Sequence, residues 1–197
     1  MATDIKKVIE NLLGFYDFDD KVIVSVGAGG GQLIEYGRNA KRVIALDNDA
    51  QAIGRLKEAL ERNGLAEKFS PQVKDFYEAE LKGDVVLFEF CLHEMSDPAR
   101  AIEHAKSMSN DVVVFDHLPG EWAHYINETE KVRRSWAAVE EHGFRKKITF
   151  EAVQSFKDHE ELLNKVRSQG EESMRRIARF KTQENIAIKM PYCVALI

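Results

Sequence analysis

The chain has 197 residues, 44% of them hydrophobic and 31% charged, which suffices for one α/β domain with a sizeable core and leaves little room for a second. A formal net charge of -5 argues against a nucleic-acid partner, whose phosphates need a positive surface. Only Cys91 and Cys193 carry thiols, so no disulfide framework or structural zinc site is implied; without a signal-peptide core or a membrane-length apolar run, the expected location is cytoplasmic.

In chain order, residues 3 to 14 read as an amphipathic helix. Thr3 or Asp4 can cap it, and Ile5, Val8, Ile9, Leu12 and Leu13 recur at helical spacing. An acidic linker with Phe15, Tyr16 and Phe18 follows. Val22 to Val26 is a short β-branched strand suited to burial on both faces. It flows into Gly27-Ala28-Gly29-Gly30-Gly31, where glycines let the backbone turn sharply and approach a ligand. Gln32 to Tyr36 is expected to open a helix. Strand, glycine turn and helix start would form the first crossover of a nucleotide-binding α/β sheet. The spacing is not that of a dinucleotide fingerprint, because Gln32 stands where the third glycine would fall.

Arg42 to Leu46 is the second strand. It ends in Asp47, twenty residues after Gly27, where a carboxylate can accept from both ribose hydroxyls. Asp49 begins a helix that Asn63-Gly64 stops. Gln72 to Phe76 reads as the third strand. Asp84 to Phe90 is the fourth, and it runs into Cys91-Leu92-His93-Glu94-Met95-Ser96-Asp97-Pro98. A helix over 99 to 108 precedes the fifth strand, Asp111 to Phe115, which ends in Asp116-His117. One helix is then expected from Glu121 to His142-Gly143, with Trp122 and Tyr125 in its first turn. Ile148 to Val153 is the sixth strand. His159 to Phe180 reads as interrupted helix with Arg167, Arg175, Arg176 and Arg179, and the last strand material is broken by Pro191.

Val26-Gly27-Ala28-Gly29-Gly30-Gly31 and Leu46-Asp47 resemble the first two motifs of class I S-adenosylmethionine-dependent methyltransferases, over roughly residues 20 to 120. Leu92-His93-Glu94-Met95-Ser96-Asp97-Pro98 resembles the Leu-His-His-x-x-Asp-Pro stretch of the small-molecule branch, including quinone-biosynthesis types, with Glu94 replacing the second His. The resemblance implies an α/β, doubly wound, mostly parallel seven-stranded sheet with an antiparallel last strand, the Rossmann-like methyltransferase fold. A single domain over 1-197 is expected, with the N-terminal helix 3-14 and, as a departure from the general family, a helical insertion at about 155-184 that is expected to act as a lid or a dimer surface. S-adenosyl-L-methionine is the implied cofactor. Its binding residues would be Gly27, Ala28, Gly29, Gly31, Asp47, Asn48, Asp75, Phe76, Glu89 and Phe90, with Asp75 accepting from the adenine amino group and Phe76 packing on the ring.

Methyl transfer is a direct displacement, so the protein aligns the acceptor, excludes water and, for a hydroxyl or ammonium, supplies a base. His117 is the first choice as that base and His93 the second, with Glu94 nearby. Trp122, Tyr125 and Tyr16 are the candidate acceptor contacts. His93, Glu94, Asp116 and His117 would be the metal set, but with two acids among them no metal is expected. Cys91 reads as a small buried thiol rather than a nucleophile. The reading is therefore a methyltransferase acting on a small-molecule acceptor. Its rivals are a protein or RNA methyltransferase, with the insertion as docking surface and a homodimer compatible with either, and a non-catalytic cofactor-binding partner in a complex.

Overall fold

The computed structural model describes residues 4–197. Thr3 lies outside them, and Asp4 caps the first helix, its carboxylate accepting from the Lys7 amide at 3.0 Å. Seven strands, β1 (Val22–Val26), β2 (Arg42–Asp47), β3 (Phe69–Val73), β4 (Val85–Glu89), β5 (Asp111–His117), β6 (Lys146–Asp158) and β7 (Glu184–Leu196), form one sheet in the order β3-β2-β1-β4-β5-β7-β6. The first five are parallel, and β7 runs antiparallel between β5 and β6. Order reverses between β1 and β4, so a crevice opens beyond the carboxyl ends of those strands.

Helices cover both faces. Alternation along β1 sends Ile23 to one core and Val24 and Val26 to the other. The first core packs α1 (Ile5–Phe15), α2 (Ala50–Arg62), α6 (His159–Val166) and α7 (Glu171–Ile177) on one side. The second packs α3 (Pro98–Met108) and α5 (Thr129–His142) on the other, while α4 (Glu121–Tyr125) gives Ala123 to this core and Trp122 and Tyr125 to the first. Asp49, Asp97 and Asp158 cap α2, α3 and α6 through side-chain bonds to the first-turn amides.

Several elements depart from the sequence reading. The expected helix after the glycine loop is a single 3-10 turn, Ile34–Gly37. Gly37 lies so close to the Phe69 ring that a Cβ there would come within 2.3 Å of it, and this contact draws the chain straight back to β2. β3 starts three residues early, and Asp75 instead caps a short turn by accepting from the Tyr77 amide at 2.8 Å. The long helix breaks at Asn127, whose φ of 61° no α-helix accommodates, giving α4 and α5.

The last two strands are longer than expected and pair with each other over almost their whole length. The insertion's helices begin at His159, where the sequence reading put them. Pro191 does not break β7. Its carbonyl accepts from the Leu118 amide at 2.9 Å just past the end of β5, so the N–H it lacks is missed only at the margin of the ladder.

Candidate active site

A cavity of about 530 Å³ lies at the carboxyl ends of β1, β2 and β4. Gly27, Asp47, Asn48, Asp75, Phe76 and Phe90, all anticipated from the sequence, line it together with Cys91, Glu94 and Met95. Ala28, Gly29, Gly31 and Glu89 are not among its lining residues. Gly27 adopts φ 70°, and a Cβ on it would fall 2.4 Å from the Cβ of Cys91, so only glycine lets the loop lie against β4's exit. Gly31, at φ 70°, packs on α2 in the same way; a Cβ on it would fall 2.7 Å from the Ala59 Cβ. Asp47 organises the loop. One carboxylate oxygen accepts from the Gly29 amide at 3.1 Å and the other from the Asp49 amide at 2.9 Å.

Glu89 turns to the opposite side of its strand. It is buried and accepts from the Ser25 and Tyr36 hydroxyls. Burial is the main cause that lifts its carboxyl from 4.5 to about 7, against the hydrogen bonds of the two hydroxyls.

Phe90 is the hinge of the site. It holds φ 49°, a left-handed conformation that costs a non-glycine residue about 1–2 kcal/mol. The bond from its amide to the Phe115 carbonyl at 2.7 Å helps fix it there. Its ring packs against Phe115 and His117, with centroids 4.4 and 4.6 Å apart. Beyond it lie two more cavities that it also lines. One, of about 210 Å³, is mostly apolar, with Ile5, Val8, Leu33, Trp122 and Met190 around His117, Gln154 and Lys165. The other, of about 250 Å³, holds His93, Glu94, His117, Glu128 and Lys165.

Trp122 is buried there and stacks on Phe156. Tyr125 lies behind it against Phe180, its hydroxyl accepting from Arg179 at 3.4 Å, and lines none of these cavities. Tyr16 does not belong to the site. It precedes β1, and its hydroxyl donates to Asp111 at the start of β5, so it stands at the amino edge of the sheet, across from the cavities.

The two histidines have opposite electrostatics. Asp116, fully buried at the end of β5, accepts from the His93 amide at 2.9 Å and the His117 amide at 2.8 Å, and faces His93 Nδ1 at 2.6 Å. His93 Nε2 faces Glu128 Oε2 at 3.2 Å and Glu94 Oε1 at 3.6 Å. Burial disfavours the His93 cation, but Asp116 and Glu128 outweigh it and hold the proton up to about pH 10. The carboxylates on both ring nitrogens thus favour His93 as a cation, which weakens the case for it as the base. His117 is the reverse. Burial, aided by the His93 cation, pushes its pKa down to about 4, and its Nδ1 has no partner among the described residues.

Glu94 is exposed and pairs with Lys131 at 2.6 Å. Burial raises the Glu128 carboxyl above its ordinary range. Glu128 is the one member of this cluster the sequence reading missed; the only local hint is Asn127, a residue type tolerant of positive φ, inside an otherwise helical stretch. Burial also keeps the Cys91 thiol protonated, in line with a packing role.

Residues 24–111 match the family described as methyltransferase domain. No curated protein sequence matches. Among solved structures, the YcgJ protein of Bacillus subtilis is 10% identical with a TM-score of 0.70, covering 97% of this chain and 98% of its own. Magnesium protoporphyrin IX methyltransferase of Synechocystis, solved with bound S-adenosylhomocysteine, is 13% identical with a TM-score of 0.58, covering 97% and 80%. A SAM-dependent methyltransferase of Aquifex aeolicus is 16% identical with a TM-score of 0.58, covering 98% and 89%. At such identities the likeness is one of fold.

Proposed function

We propose that this chain, whose residues 24–111 match the methyltransferase-domain family, uses S-adenosylmethionine to methylate a small-molecule acceptor held beyond Phe90. The residues fit the cofactor. Asp47 and Asp75 are acceptor-only carboxylates on the wall of the large cavity, matched to ribose hydroxyls and an adenine amine, and Phe76 and Asn48 stand beside them. In this reading Ala28, Gly29 and Gly31 shape the loop that carries Gly27 and steers Asp47. Glu89 braces the exit of β4 from behind, through Ser25 and Tyr36. The cofactor supplies an electrophilic methyl group.

The chain's own work is to orient the acceptor and take its proton. The observation that carries this reading is that Phe90 walls both the cavity of Asp47 and the cavities of His117 and Trp122. An acceptor lying on Trp122, Ile5 and Met190 would have its nucleophile near Phe90. His117 is neutral at physiological pH and has a buried, unpartnered ring nitrogen, so it is available to accept a proton. The small volume, about 210 Å³, supports a small acceptor over a macromolecule.

Release of S-adenosylhomocysteine from the full chain, measured across small hydroxyl and amine acceptors, peptides and RNA, tests the proposal. Turnover confined to small molecules is the expected result. Turnover confined to peptides or RNA, or cofactor binding without turnover on any of them, would overturn it.

A further inference from the structure

We propose that His93, Glu94 and Glu128 form a binding site for one divalent transition-metal ion, on the wall of the cavity that also holds His117. Nε2 of His93 lies 3.2 Å from Glu128 Oε2 and 3.6 Å from Glu94 Oε1, and all three atoms fall within 4.8 Å of one another. Ligand bonds of about 2.0–2.2 Å at octahedral or tetrahedral angles separate neighbouring ligand atoms by roughly 3.0–3.6 Å. The two distances from Nε2 are thus those of atoms that can share an ion.

The remaining atoms of His93 and Glu94 are already held by other groups. Asp116 takes His93 Nδ1 at 2.6 Å. Lys131 takes Glu94 Oε2 at 2.6 Å and sits 3.9 Å from Glu128 Oε1. The near oxygens and Nε2 are therefore the ones left pointing at a common centre. A carboxylate on the far nitrogen of a ligating histidine is the usual means of fixing its orientation.

Charge leads to the same place. With Asp116, Glu94 and Glu128 ionised, and Lys131 opposing them, the cluster carries two net negative charges around a neutral His93, which one dication balances. His93 and Glu128 are buried, and buried charges are either paired or bound to metal. Without an ion, the proton on Nε2 occupies its place. Binding releases that proton to water, as ligation by imidazole requires. Glu94 is exposed and the cluster opens on the cavity of about 250 Å³, so an ion has a way in and keeps positions free for water or an acceptor oxygen. One nitrogen with two carboxylates suits Mn2+ or Zn2+ rather than a thiolate-seeking ion.

The sequence reading expected no metal because it counted only Glu94 and Asp116. In the fold Asp116 stands behind the histidine, and Glu128 arrives from the start of α5 to complete the set.

Mn2+ titrated into the full chain near neutral pH, with free Mn2+ read by electron paramagnetic resonance, reports binding without any assay of methyl transfer. One ion per chain is expected, displaced by Zn2+. Glu94→Gln, Glu128→Gln and Asp116→Asn should each weaken binding by about tenfold or more. Glu94 is exposed, so its variant tests the site with the fold intact, and circular dichroism checks the other two. No saturable Mn2+ uptake by the natural chain, or equal uptake in folded Glu94→Gln and Glu128→Gln, would leave only an ion-paired histidine and overturn the proposal.

Discussion

His93 and His117 are neighbours, with ring centroids 5.4 Å apart, yet their surroundings drive them in opposite directions. Three carboxylates face one ring, while the other sits buried beside a cation. The sequence placed both in the right loops because each follows directly on a parallel strand. It could not rank them, since Glu128 reaches His93 only through the break between α4 and α5. Tyr16 was misjudged for a simpler reason. It lies close to the glycine loop along the chain, but the five residues of β1 carry the backbone about 17 Å from one edge of the sheet to the other. Replacing His117 with Ala is expected to lower turnover by about 10²-fold while leaving S-adenosylhomocysteine affinity nearly unchanged; calorimetry paired with steady-state rates checks both halves. Asp47→Ala should weaken S-adenosylhomocysteine binding by about 1.5–3 kcal/mol, the worth of hydrogen bonds to a charged group. Equal affinity in that variant would remove Asp47 from the site.

At the scale of elements, the glycine loop separates its irreplaceable glycines, Gly27 and Gly31, from Gly29. Gly27 has both a positive φ and no room for a side chain, whereas a Cβ on Gly29 meets nothing closer than the Gly27 carbonyl at 3.4 Å. Gly27→Ala should therefore destabilise the chain by about 2–4 kcal/mol, combining overpacking with left-handed strain. Gly29→Ala should cost only the strain, about 1–2 kcal/mol. Denaturant melts of the two variants will show this order; the reverse order would mean the loop is packed differently. The strands flanking this loop were legible because burial on both faces writes them as Val and Ile runs. β6 was legible only in its middle, Ile148 to Val153; its ends were not, because much of it is exposed and charged, and its partner β7 lies far along the chain. The 3-10 turn after the loop was hidden as well, since it depends on Phe69 reaching back to Gly37 from another strand.

Across the whole molecule, Glu89 ties the exit of β4 to β1 and to the turn at Tyr36, and it makes stability depend on pH. Its folded carboxyl keeps its proton up to about pH 7, against an ordinary value of 4.5. Between those values the folded chain binds more protons than the unfolded one, so stability should fall as pH rises from about 4.5 to about 7 and stay low above that. The loss is of the order of a few kcal/mol. Gln keeps the acceptor oxygen that Ser25 and Tyr36 use, so Glu89→Gln should flatten the decline; an unchanged profile would show that Glu89 is ionised in the fold. The mostly parallel seven-stranded sheet with its antiparallel last strand was implied by the resemblance that the glycine loop and Asp47 carry, and the sheet has that form. The second side of the crevice was not legible, because it is built by β7, α4 and α6, which come together only in three dimensions. The most direct measurement is a crystal structure of the chain with S-adenosylhomocysteine. The ribose hydroxyls should rest on Asp47 and the sulfur should face Phe90, open toward His117. A nucleoside bound elsewhere, or a sulfur walled off from the His117 cavity, would contradict the account.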